Sequence, residues 1–225
     1  MTTLDPVKLR ELVKDIYPPQ SAEDLVFDKL LAATDWTSGQ DNIDTAKFLH
    51  FKFVISLARI LEDAAILKAI CQDPALTSLQ MLVDKYNIAG DAAPQPLPTA
   101  EVLGGPDNLK RLQFVVLFLD LVQCDETLTT IIVADKNLCS LKDFVAKFSK
   151  LTMDDIKTKL GAGAGTDSGS KKIKFLVDMA DLFNCHEVLV SRLARDTGLL
   201  TIRDIAAKYS CATLIEMATR KVDFQ

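Results

Sequence analysis

Histidine is scarce in this chain. The 225 residues hold two, His50 and His186, and no H-E-x-x-H pairing joins them, which removes the commonest zinc-hydrolase signature. His186 stands where a helix-starting aspartate recurs elsewhere, so capping explains it without chemistry. No C-x-x-C pair occurs among Cys71, Cys124, Cys139, Cys185 and Cys211, and their number is odd. Neither a structural zinc site nor a disulfide framework is expected, and reduced, buried cysteines in a cytoplasmic protein are. No G-x-S-x-G motif and no phosphate-binding loop is present; the glycine tract at 161–165 runs into TDSGS without the lysine and hydroxyl that cradle a phosphate. These gaps exclude the familiar catalytic constellations, and neither an enzymatic activity nor a cofactor is expected.

Long hydrophobic runs are also missing. The most apolar stretch, Phe114–Val122, is interrupted by Asp120 and is about half the length of a spanning helix. The N-terminal stretch 1–17 is charged throughout and has no apolar signal core. No membrane span is expected, and the location is read as cytoplasmic unless a non-classical route exports the chain. The net charge of −5 speaks against a general nucleic-acid binder, which needs a cationic face to displace counterions. A local basic cluster, Lys171, Lys172 and Lys174, is read as a solvated helix start.

What the chain has is apolar material, 48 % of its residues, and an internal repeat. Gln113–Ser149 aligns with Lys174–Ser210 without a gap, at the offset that carries Phe114 to Phe175. Val116, Asp120, Leu121, Cys124, Glu126, Leu128, Asp135, Leu138, Asp143, Lys147 and Ser149 recur as Val177, Asp181, Leu182, Cys185, Glu187, Leu189, Asp196, Leu199, Asp204, Lys208 and Ser210. A third copy lies earlier, and its second half is DPALTSLQMLVDKYN from Asp73 to Asn87. Phe53 meets Phe114 at one offset and Asp73 meets Asp135 at an offset one larger, so the first copy lacks one residue between its halves.

Each copy reads as a long apolar helix (Ala46–Glu62, Asn108–Gln123, Lys171–Asn184) and then a short one (Asp63–Gln72, Glu126–Ala134, Glu187–Arg195). Asp125 and Asn184 are the expected caps of the last two short helices. A turn aspartate follows (Asp73, Asp135 or Asp196), and then a helix capped by Ser78, Ser140 or Thr201. The later copies close with a further helix, Met153–Leu160 or Ala212–Lys221. Ahead of the repeats, Pro6–Ile16 and Ala22–Thr34 are read as helices of a cap that shields the end of the array.

The expected architecture is therefore all-α: an array of three related multi-helix repeats with an N-terminal helical cap. Its divisions are cap 1–41, repeat 42–88, Pro/Gly linker 89–106, repeat 107–160, flexible Gly/Ser linker 161–170 and repeat 171–225.

Two repeated features are candidates for more than packing. Lys85, Lys147 and Lys208 form a row that offers an interaction edge, although a cation near a helix C-terminus is favoured by the dipole in any case. Asp120 and Asp181 interrupt apolar helices, and pairing with Lys147 and Lys208 would offset the cost of burying them.

The phrases LCSLKDFVAKFSKLTMDDIKTKL (138–160) and LLTIRDIAAKYSCATLIEMATR (199–220), with LTSLQMLVDKYN (76–87), resemble segments in the helical repeat shell of the A component of bacterial insecticidal toxin complexes (Tc toxins). The resemblance implies an α-helical shell with interaction surfaces and no catalytic residues. The chain is too short to hold that family's pore-forming and linker parts. The function expected on all these grounds is a non-enzymatic protein-interaction or scaffolding module, with a protein partner. The alternative is a small-molecule carrier or regulator with an apolar pocket lined by Leu112–Val122.

Overall fold

The computed structural model describes residues 5–32, 45–87, 94–161 and 166–219. Thirteen helices and no strand occur among them, so the chain is all-α. The expected helix ends at Thr34 and Lys221, the stretch 89–93 and the glycines of 162–165 lie outside the described residues. The helices are α1 (Pro6–Val13), α2 (Ala22–Ala32), α3 (Thr45–Leu61), α4 (Ala64–Cys71), α5 (Leu79–Tyr86), α6 (Pro106–Leu121), α7 (Glu126–Val133), α8 (Leu141–Phe148), α9 (Met153–Leu160), α10 (Thr166–Leu182), α11 (Glu187–Ala194), α12 (Ile202–Lys208) and α13 (Cys211–Thr219). They fall into two compact units, Met1–Leu82 with Pro98–Leu109, and Val83–Leu97 with Lys110–Gln225.

In the first unit α1 packs on both α3 and α4. An aromatic cluster anchors the N-terminal helices: Tyr17 stacks on Phe27 at 4.9 Å between centroids and meets Phe51 edge-on at 5.1 Å. Such pairs add about 1 kcal/mol to the area they bury. Lys8 pairs with Glu62, and Lys68 of α4 lies 3.6 Å from Asp15. The second unit has its own core. Phe114, Phe118, Phe144 and Phe148 run as a chain of ring contacts 5.7, 5.4 and 5.1 Å apart, which ties α6 to α8. Helix α10 packs on α8 and α9, and α13 packs on α11.

The local rules explain most helix starts. Ser78, Ser140 and Thr201 each accept a hydrogen bond from the backbone N–H three residues on, Met81 at 3.2 Å, Asp143 at 3.2 Å and Asp204 at 3.3 Å. Asp204 answers by accepting from the Thr201 N–H at 2.7 Å, which completes a capping box. The turn aspartates accept from the N–H two residues on, at 3.0 Å for Asp73, 2.9 Å for Asp135 and 3.1 Å for Asp196.

The one-residue difference between the aligned segments sits in a single corner. Helix α6 ends in two left-handed residues, Gln123 (φ 56°) and Cys124 (φ 57°), and α10 ends the same way in Asn184 (φ 49°) and Cys185 (φ 56°). The N–H of Cys124 bonds back to the Leu119 carbonyl and that of Cys185 to Ala180, each at 2.7 Å. After α3 there is one such residue, Glu62 (φ 48°), followed directly by the N-cap Asp63. This corner also corrects the capping expectation for α11. Asn184 is a corner residue, and the cap is His186, whose Nδ1 accepts from the Leu189 N–H at 3.3 Å.

Helix α10 begins at Thr166, five residues before its expected start, so residues 166–170 of the Gly/Ser tract are helical. Tertiary contact overrides composition here. Gly169 is buried, and a Cβ on it would stand 2.8 Å from a methyl of Leu128 and 3.5 Å from one of Leu160. Asp167 holds the first turn by pairing with Lys171 at 2.6 Å and with Lys157 of α9 at 2.8 Å.

Candidate functional site

The lysine row is engaged within the chain. Lys85, Lys147 and Lys208 each lie over the ring that follows in sequence, Tyr86, Phe148 and Tyr209, at 5.2, 5.6 and 5.6 Å from the centroid. Lys147 also bonds Asp135, and Lys208 bonds Asp196 at 2.5 Å. The lysines hold both carboxyls below the ordinary carboxylate value, with help from the turn N–H groups and, at Asp196, from the Tyr209 hydroxyl. At Lys147 and Lys208 the set closes a turn onto its helix: the aspartate grips the turn, the lysine grips the aspartate, and the ring supports the lysine.

The pairing expected for Asp120 is not formed. Its carboxylate is buried in α6, and its partners come from α11 and its C-cap: the Ser191 hydroxyl donates to Oδ2, and the Arg195 Nε–H donates to Oδ1 at 2.9 Å. Lys147 is committed to Asp135, so it does not reach Asp120. Next to this network the Gln123 amide donates to the Ala194 carbonyl at 3.4 Å. A serine and an arginine one turn apart thus form a clamp that satisfies both oxygens of a buried carboxylate. Asp181, its sequence counterpart, is exposed.

A partly open cleft of about 640 Å³ lies along α10 in the second unit. Its walls include Lys171, Lys172, Lys174, Asp178, Asp196 and Thr201. Lys174 pairs with Asp178 at 2.6 Å. Lys172 is half-buried, and burial pushes its ammonium down from its ordinary value against the pull of Asp125. No residue of Leu112–Val122 lines this cleft. The apolar stretch is instead packed into the core, with Leu112, Phe114 and Phe118 all buried.

The cysteines depart in part from expectation. Cys71 is buried, but Cys124 and Cys185 are half-buried, because each sits in the left-handed corner at the end of its helix and not on the helix's inner face. Burial, with the charges of Asp120 and Asp84, pushes the Cys124 thiol up to about 11, and burial raises Cys185 as well. Thiols held in that direction are poor nucleophiles at neutral pH. His50 is buried, with Nδ1 2.8 Å from the Leu76 carbonyl, an arrangement that fixes the following turn to α3.

Among the described residues no group of three or more His, Cys, Asp or Glu side chains is placed to hold a metal ion, and no helix is long and apolar enough to cross a membrane. No family model, no curated protein and no solved structure matches the chain.

Proposed function

We propose that this chain is a non-enzymatic protein-interaction or scaffolding module, built as an array of three related helical units with an N-terminal helical cap. The observation that carries the reading is the exposed apolar surface of α13 and of the turn before α12. None of the residues of α13 is buried, and Ile215 and Leu200 are 63 % and 74 % exposed. Large apolar side chains left exposed in the turn before α12 and on α13 are the kind of surface on which another macromolecule packs. The protein partner is assigned on this ground, and the resemblance to toxin-complex shell segments supports a toxin or injection-type assembly as its setting. The cytoplasmic assignment rests on five cysteines that are all free.

The test is retention of a partner from the native source on the immobilised full chain, compared with a Leu200→Asp, Ile215→Asp variant. Both positions are exposed, so the variant should keep its melting temperature. A partner held by the wild type and lost by the variant supports the module. Equal retention by both, or no specific retention by either, overturns it.

The carrier reading has one observation in its favour, the cleft beside α10. Its charged rim suits a polar ligand better than a lipid-like one. Native mass spectrometry of protein purified from its source tests this, since a carrier retains a discrete small-molecule mass.

A further inference from the structure

One place is basic in all three aligned segments. Three residues ahead of Phe53, Phe114 and Phe175 stand His50, Arg111 and Lys172. In the first segment the ring is spent on the backbone, with His50 Nδ1 2.8 Å from the Leu76 carbonyl. In the second, buried Arg111 donates at 2.9 Å to the carbonyl of Val133, the last residue of α7. A cation there also meets the negative end of the helix dipole.

The third segment breaks this pattern. The counterpart of Val133 is Ala194, the last residue of α11, and its carbonyl takes the Gln123 amide instead. Among the described residues Lys172 has neither a hydrogen bond nor an ion pair. Asp125, whose charge acts on it, is engaged as the N-cap of α7 and accepts from the Leu128 N–H at 2.9 Å. The carboxylates in the surrounding wall are engaged as well: Asp167 by Lys157 and Lys171, Asp178 by Lys174, and Asp196 by Lys208. Half-burying an ammonium without a counter-charge is costly, and an arriving anion relieves that cost.

Lys172 lines the cleft beside α10, whose wall lies wholly within 123–202 of the second unit. Ala194 and Leu199, the counterparts of Val133 and Leu76, line it too. The two positions that hold the basic side chain in the other segments therefore border open space here. That space, about 640 Å³, is of the size that takes a small molecule. Half-buried Met153, Phe175 and Ile202 give it an apolar wall. We infer that the cleft binds a small organic monoanion, a carboxylate on a compact apolar body, with Lys172 as its counter-charge. One ammonium without an acid matches one negative charge. A phosphate would set its second charge against Asp167, Asp178 and Asp196, and an uncharged ligand would leave the ammonium unpaired. The inference gives a ligand class to the cleft of the carrier reading and does not rest on the module reading.

Naphthoate serves as the probe, with naphthamide as its uncharged isostere and inorganic phosphate as the charge without the apolar body. Titrated into the full chain at neutral pH, naphthoate should bind saturably and shift the amide resonances of 194–202. Naphthamide and phosphate should bind at least about tenfold more weakly. Lys172→Met should weaken naphthoate by about tenfold, to the level of naphthamide, and leave naphthamide unchanged. Lys172→Arg should restore naphthoate binding, because it returns the charge. The melting midpoint of the Lys172→Met protein should stay within about 1 °C of the wild type or rise, because no pair is lost.

A larger fall in that midpoint would make Lys172 a structural partner and overturn the inference. So would the absence of saturable naphthoate binding, equal affinity for naphthoate and naphthamide, tighter binding of phosphate, or naphthoate binding that Lys172→Met leaves unchanged. None of these results touches the module reading, which stands or falls on partner retention.

Discussion

Ser140 shows how far a single side chain can be argued. Its hydroxyl accepts from the Asp143 N–H and donates to the Asp143 carboxylate at 2.7 Å, so one residue satisfies a first-turn donor and orients the acid that faces the helix dipole. Ser140→Ala should cost about 1 kcal/mol by urea denaturation, and Thr201→Ala about as much. Neither change should weaken partner retention, because both hydroxyls are spent on the backbone.

The acid side of these motifs predicts a pH dependence. Asp135, Asp155, Asp196 and Asp204 are all held below their ordinary 3.8, and Asp167 is lowered to about 2 by its two lysines. A depressed folded-state value means that the unfolded chain takes up the proton first. The stability these groups contribute is complete above the ordinary value and is lost as the pH falls through 3.8 toward the depressed values. Glu187 runs the other way: burial raises its carboxyl above 4.5, so its contribution is greatest in acid and fades as the pH rises through that raised value. Denaturation midpoints measured from pH 6 to pH 2 should fall chiefly below about pH 4. Asp135→Asn and Asp196→Asn should flatten the fall, and an unchanged profile in both would refute the lysine–aspartate account.

At the scale of the helix, the sequence was legible wherever the governing contact is local. The three hydroxyl caps and the three turn aspartates act over two or three residues, so their spacing alone identifies them. The missing residue in the first copy was visible as a change of offset. That it falls in a corner of left-handed residues was not, because Gln, Cys and Asn carry no strong signal for two such residues in a row. The start of α10 differs from the expectation for another reason. Glycine and serine favour flexibility in isolation, yet Gly169 is helical because its bare backbone lets Leu128 and Leu160 approach. Gly169→Val should therefore destabilise the chain by about 2 kcal/mol through overpacking. Valine at exposed Ser168 should be nearly neutral, because serine and valine have similar helix propensities. Thermal or urea unfolding of the pair separates the two effects.

The whole molecule sets the limit of sequence reading most plainly at Asp120. The apolar helix around it announced a buried acid, but its partners lie 71 and 75 residues away, and no spacing rule reaches that far. Lys147 and Lys208 are nearer candidates in sequence, and they serve the turn aspartates Asp135 and Asp196 instead. A buried carboxylate chooses its partner by packing, and packing is a property of the assembled units.

The bare helix α13 bears on how the fold comes apart. Without a buried side chain, its backbone amides are protected by little more than their own helical bonds and the α11 contact, so the last turns should open far more often than the core they adjoin. Amide exchange should be fastest in α13, slower in α12 and slowest in α6, whose inner face is almost entirely occluded. A ligand that covers this end would close that gradient and raise the melting temperature in proportion to the logarithm of its concentration. The looseness of the final helices is then itself a gauge of occupancy, readable by exchange without knowing in advance what binds.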